Sequence, residues 1–187
     1  MSEKILDFEV DYCKLKIFDE FNTKDIKFPV VLSSPHAGNM FPKEFLQNSA
    51  LSEQELKISE DCFVTDLIKK ASDEGIPLIS LNIPRTFVDV NRDKIELDET
   101  MFYNAPKTQD INSRRCRVGL GVLHRIVYQN KEIYLHHFYN KFPVSILLFT
   151  GLLEIFGVLV KAFDAVFLDP CHSLIKFIVA TEVVCSV

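Results

Sequence analysis

The chain reads as an α/β protein whose core is a mostly parallel or mixed sheet. Three observations carry that expectation. Two short apolar runs, Phe28 to Leu32 and Leu78 to Ile83, have the length and composition of strands buried on both faces. Between them, Phe63, Leu67, Ile68 and Ala71 fall on one side of a helix. Strand, helix and strand in that order make a crossover unit, the connection that joins parallel neighbours in a sheet.

Taken in order, the loose alternation from Val10 to Phe21 predicts strands or an extended arm ahead of the core. Ser52, followed three residues later by Glu55, is a capping box that opens a short helix. Ser59 is placed to cap the next helix, and Gly75 to stop it. Asp89 to Met101 is polar and predicts a loop. From Arg117 to Tyr134, Gly119 and Gly121 precede an alternating stretch that predicts a hairpin around Gln129-Asn130-Lys131. Ala165 to Leu168 is a further short strand, ending just before Asp169 and His172.

The 187 residues suit one domain, taken as 1–187. A net charge of −5 argues against a nucleic-acid partner, because the arginines are grouped with acids instead of forming a basic face. The charged start, Met-Ser-Glu-Lys-Ile-Leu-Asp, has no apolar leader, and the five cysteines show no C-x-x-C spacing. A reducing cytoplasm is the expected compartment. The tract from Phe142 to Val160 holds one ionisable residue, Glu154, and approaches the length of a membrane span. Pro143, two glycines and that glutamate favour a buried helix, with membrane anchoring by 142–160 as the minor alternative.

The chemistry concentrates at strand ends, where open α/β sheets bind ligands. Ser34-Pro35-His36-Ala37-Gly38 puts an imidazole at the first, and His172 follows the run ending at Leu168. With Glu60 or Asp61 they form two imidazoles and a carboxylate, a common catalytic zinc shell. The competing readings are a structural or solvated histidine and acids placed by the helix dipole. Arg85, Asp89, Asn91 and Arg92 crowd into eight residues after the second strand, a pattern suited to bidentate grip of a carboxylate. The alternative there is a surface salt-bridge cluster with Asp89, Asp93 and Asp98. His124, His136 and His137 have no partners at fixed spacing and read as structural or exposed. No G-x-S-x-G elbow, Walker loop or G-x-G-x-x-G occurs, which removes support from serine-hydrolase, nucleotide and dinucleotide readings.

These stretches, with Phe41-Pro42, Ser59-Glu60-Asp61-Cys62-Phe63, Pro84 to Arg92, Glu96-Leu97-Asp98, Met101-Phe102, Gly119-Leu120-Gly121-Val122 and Asp169 with Cys171-His172-Ser173, resemble in order the N-formylglutamate amidohydrolase family. The resemblance spans roughly Val30 to Ser173. It implies a three-layer α/β fold related to the zinc carboxypeptidases, with helices on both faces of the sheet. It implies zinc-dependent hydrolysis of the N-formyl amide of N-formyl-L-glutamate to glutamate and formate, a step of histidine degradation. It further implies zinc held by His36, His172 and an acid, preferably Asp61. Asn91 and Arg92 would hold the substrate carboxylate of a small acidic N-acyl amino acid, and Arg85 would steady the oxyanion.

Three departures qualify the pattern. Asn39 stands where the carboxypeptidases' His-x-x-Glu pair has its glutamate, and Pro170 is inserted between Asp169 and Cys171. The family's downstream glutamate, in a Gln-x-Glu type segment and acting as general base, has no counterpart in the final residues, where Glu182 is the one acid available. The expectation is therefore an amidohydrolase domain with its C-terminal part missing, the frame being degraded or misread beyond about Asn140. A catalytically inactive remnant, or a binding protein for small carboxylates, is the alternative.

Overall fold

The computed structural model describes residues 15–28, 30–92, 96–102 and 113–135, together with the backbone of a strand at Lys176–Val179. His172 and the tracts 142–160 and 165–168 lie outside the described residues, as does everything before Leu15. The described elements run β1 (Phe18–Phe21), β2 (Val30–Ser34), α1 (Lys43–Asn48), α2 (Glu53–Lys57), α3 (Val64–Asp73), β3 (Leu78–Leu81), α4 (Arg114–Arg117), β4 (Ile126–Val127), β5 (Lys131–Glu132) and β6 (Lys176–Val179).

A small mixed sheet organises them in the order β1-β3-β2-β6. The crossover expected from sequence is present: β2 and β3 are parallel, in the register Leu32↔Leu78, with α3 between them in the chain. β1 joins β3 antiparallel at the edge, and β6 lies parallel to β2 on its other side. β6 follows His172 in sequence, and the strand expected at 165–168 lies outside the described residues. β4 and β5 form the hairpin expected around Gln129-Asn130-Lys131, and Gln129 and Asn130 take the left-handed conformation its turn requires.

Two elements of α3 differ from expectation. Ser59 does not cap it. The helix begins at Val64, after Phe63 in a left-handed conformation (φ 69), and Glu60 and Asp61 stay on the loop before it. The buried face also differs from the stripe expected. Phe63 and Leu67 are 75% and 71% exposed, whereas Val64 and Ser72 are buried. The helix is tied to the sheet by the Thr65 hydroxyl, which lies 2.9 Å from Ser34 Oγ and 2.7 Å from Ser80 Oγ. At its far end Gly75 is the stop expected, with φ +108 and its N–H on the Ser72 carbonyl. The Ser52–Glu55 capping box forms in both directions at α2.

The main core lies beside the sheet and not within it. Phe45 of α1, Leu56 of α2, Phe87, Val88, Val122, Leu123 and Ile133 are fully or almost fully buried in one cluster. Each large side chain buried in this way contributes roughly 1.5–3 kcal/mol. Phe45 is central, with its ring centroid 5.1 Å from Phe87 and 6.0 Å from Tyr134. This packing fixes the segment Ile83 to Asp89 against the loop that carries His36. Gly38 completes the join, since a Cβ there would lie 2.2 Å from the Ile83 carbonyl oxygen. Replacing Gly38 with alanine must push these two loops apart. The expected cost is about 1–3 kcal/mol, read as a lower midpoint in chemical denaturation; an unchanged midpoint would show that the two loops are not held in contact.

Candidate active site

His36 follows β2 directly and is buried, and its imidazole stands between two carboxylates. Nε2 is 2.8 Å from Asp89 Oδ1, and Nδ1 is 3.3 Å from Asp61 Oδ2. Asp89 has no exposure to solvent. Burial opposes its charge, but contacts from His124 and His36 and the nearby Arg92 overcome that and hold the carboxyl well below its ordinary range. An ionised Asp89 accepts a hydrogen bond from His36 Nε2. The Arg85 Nη1 donor also lies 3.3 Å from Nδ1.

Arg85 is partly exposed and links three groups of the site. Nη2 donates to Asp61 Oδ1 at 2.6 Å, Nε donates to the Ser59 carbonyl, and Nη1 faces His36. Its backbone is held by Glu60, whose carboxylate accepts from Arg85 N–H at 3.0 Å, Thr86 N–H at 3.2 Å and the Thr86 hydroxyl at 3.1 Å. The two neighbouring acids are thereby separated in function. Asp61 turns toward His36, and Glu60 clasps the Arg85-Thr86 loop. Burial pushes the Glu60 carboxyl up to about 7, against the pull of those three donors.

Arg92 and Asn91 follow Asp89. Asn91 N–H donates to Asp89 Oδ1 at 3.0 Å, and its side chain is exposed. Arg92 is held to the same carboxylate, its Nε 3.4 Å from Oδ2. His124, read from sequence as structural or exposed, reaches Asp89 as well: its ring is buried, with Nε2 3.5 Å from Oδ2. The signal available was its place three residues beyond Gly121, in the Gly119-Leu120-Gly121-Val122 stretch. Gly121 is forced by packing there, because a Cβ would lie 2.4 Å from the Glu96 carbonyl oxygen.

Asp61, Arg85, Arg92 and His124 share the wall of a cavity of about 640 Å³, whose apolar side is formed by Leu120 and Ile126. Asn91 does not line it. Among the described residues no three His, Cys, Asp or Glu side chains are arranged to hold a metal ion. The described part of the expected shell is the pair His36 and Asp61, with Nδ1 3.3 Å from Oδ2. His172 lies outside the described residues. Also among the described residues, no helix is long and apolar enough to cross a membrane, and the 142–160 tract is not among them.

Comparison with known proteins decides the family. Residues 28–143 match the family model for N-formylglutamate amidohydrolase. The chain belongs to that family. A solved N-formylglutamate amidohydrolase from Ralstonia eutropha JMP134 superposes with a TM-score of 0.69 at 20% sequence identity, over 81% of this chain and 54% of that one. At that identity the match shows the mixed α/β fold, and this chain spans about half the length of that amidohydrolase. No curated protein matches the chain.

The buried Asp89 predicts how this amidohydrolase-family fold responds to acid. A carboxyl held below its ordinary value of 3.8 adds stability above that pH, and the contribution is lost as pH falls through and below it. Urea midpoints measured from pH 6 down to pH 3 should therefore fall more steeply for the unsubstituted chain than for Asp89→Asn. Parallel slopes would show that Asp89 has no lowered pKa in the folded state.

Proposed function

We propose that the chain is a zinc-dependent amidohydrolase that cleaves the N-formyl amide of N-formyl-L-glutamate, or of a closely similar acidic N-acyl amino acid, to the free amino acid and formate. The single observation that carries this reading is the His36–Asp61 contact, with the other face of His36 on Asp89. A carboxylate bonded to the far nitrogen of a histidine is the arrangement that fixes the tautomer and orientation of a metal-ligating imidazole. With Nδ1 as the lone-pair nitrogen, His36 would face another acceptor, Asp61 Oδ2, at 3.3 Å. Two facing acceptors are what a cation needs, and Arg85 is the cation next to them. His36 Nδ1 and Asp61 would hold zinc, with His172 as the third ligand. The bound ion would act as a Lewis acid and lower the pKa of water toward neutrality.

The protein's own groups account for the rest. Asp89 orients His36. Arg92, on the cavity wall with Nε buried and without a full hydrogen bond, is the group best placed to bind the substrate carboxylate. Asn91 belongs to the same proposed grip, although it does not line the cavity here. Arg85, already bonded to Asp61, would steady charge developing on the acyl oxygen. The same reading carries the fuller three-layer fold, with helices on both faces of the sheet, as a single domain over 1–187.

The deciding experiment measures zinc content and formate release by the purified full chain. About one zinc per chain is expected, lost together with turnover in His36→Ala. Folded, metal-free protein would overturn the zinc reading, and binding of N-formyl-L-glutamate without turnover would favour a small-carboxylate-binding protein. Arg92→Ala should raise KM about 10–100-fold, the loss of one charge-assisted contact, with a smaller change in kcat. An unchanged KM would remove Arg92 from the binding site.

A further inference from the structure

We propose that the cavity carries an apolar acyl-binding subsite on Leu120, Ile126 and Val127, which selects acidic N-acyl amino acids whose acyl group is a hydrocarbon chain longer than formyl. The proposal rests on the amidohydrolase reading above and names the acyl group that this reading leaves open.

An N-acyl acidic amino acid brings three parts to the cavity. In that reading the amide lies at Asp61 and Arg85, and a carboxylate goes to Arg92; all three residues are on the wall. An acidic amino acid has no large apolar group of its own. The acyl group is therefore the part of the substrate able to cover an apolar surface. A formyl group ends in a hydrogen and covers almost none.

The apolar surface is there and is held in place. Leu120, Ile126 and Val127 line the same cavity as Asp61, Arg85 and Arg92. Ile126 packs against Gly119, where a Cβ would lie 3.2 Å from its Cγ1, so it stands beside Leu120. A bridge from Leu120 to His124 and the pairing of Ile126 with Glu132 fix the backbone on both sides. Val127 is 5% exposed and continues into the main core. The wall thus stands on packed elements, as a specificity surface requires.

The apolar surface also extends outward. Ile58 and Tyr128 line the cavity, although they are 61% and 64% exposed. Exposed apolar side chains are ordinary when scattered singly. Two of them at the mouth of a cavity with an apolar side lengthen that side toward solvent, as in a ligand-binding groove. The volume of about 640 Å³ falls within the range of sites for drug-sized ligands, roughly 300–1,000 Å³.

The reaction keeps its form. The amide C–N bond breaks, the hydroxyl of water goes to the acyl carbon and its hydrogen to the nitrogen. The second product is then a longer carboxylic acid in place of formic acid.

The test has two series on the purified full chain. Calorimetry gives Kd for the acetyl, butanoyl and hexanoyl compounds as ketone isosteres, in which CH₂ replaces the amide nitrogen of N-acyl-L-glutamate and hydrolysis is blocked. Glutamate release by the zinc-loaded chain gives kcat/KM for N-formyl- through N-hexanoyl-L-glutamate. Each added methylene should lower Kd about two- to fourfold, and kcat/KM should rise in the same order. Leu120→Asn and Ile126→Thr, which nearly keep side-chain size, should flatten both series; if one does not fold, the other decides. Equal Kd from acetyl to hexanoyl, or turnover confined to the formyl compound, overturns the proposal. So does a chain-length series that the folded variants keep unchanged, since the chain would then bind elsewhere. A rising affinity without turnover of any compound overturns the amidohydrolase reading and upholds the subsite as that of a binding protein. Binding of none of them overturns both.

Discussion

One buried carboxylate organises the site. Asp89 is sealed from solvent and receives His36, the Asn91 backbone N–H, Arg92 and, more distantly, His124. A lone charge in such a place would be costly, and its neighbours make it tolerable. Because those neighbours come from three separate stretches of chain, compensating the charge also brings the stretches together. The loop after β2, the segment after β3 and the turn before β4 meet at this point. The carboxylate therefore acts as a structural node and, by holding the His36 ring at 2.8 Å, orients the imidazole as well.

A second clasp works at one remove. Glu60 uses its oxygens on the backbone of Arg85 and Thr86, not on a ligand, and this aims the Arg85 guanidinium back at Asp61 and His36. Phe87 and Val88, next along the chain, are anchored in the core around Phe45. Side-chain geometry at the site is thus set by a polar clasp on one side and aromatic packing on the other. The close approach of Gly38 to Ile83 keeps the two loops in register.

Much of this was legible in the sequence. The apolar runs and the Ser52–Glu55 box announced β2, β3 and α2, because they depend on local pattern. The crossover followed from element order, and the motif series gave the family. The start of α3 was not legible. Ser59-Glu60-Asp61 has the composition of a helix cap, and only the tertiary demands of Arg85 and His36 keep it unwound. His124 was invisible for a similar reason: its partner Asp89 is thirty-five residues away in sequence, and no spacing rule connects them. Glu60 and Asp61 were alike in sequence, both acids beside a helix start, and only their partners in the structure separate them: Glu60 bonds Arg85 and Thr86, while Asp61 bonds Arg85 and approaches His36.

The acid–arginine pairing has a consequence for charge. Arg85 offsets Asp61, and Arg92 offsets Asp89. These two pairs are therefore close to electroneutral before anything enters the cavity. A dication bound at His36 and Asp61, as proposed, would leave a surplus of about two positive charges in a low-dielectric recess. An N-acyl acidic amino acid carries two carboxylates and no ammonium group, because its nitrogen is acylated. It would restore neutrality on arrival, whereas the free amino acid formed by cleavage gains an ammonium charge and no longer matches.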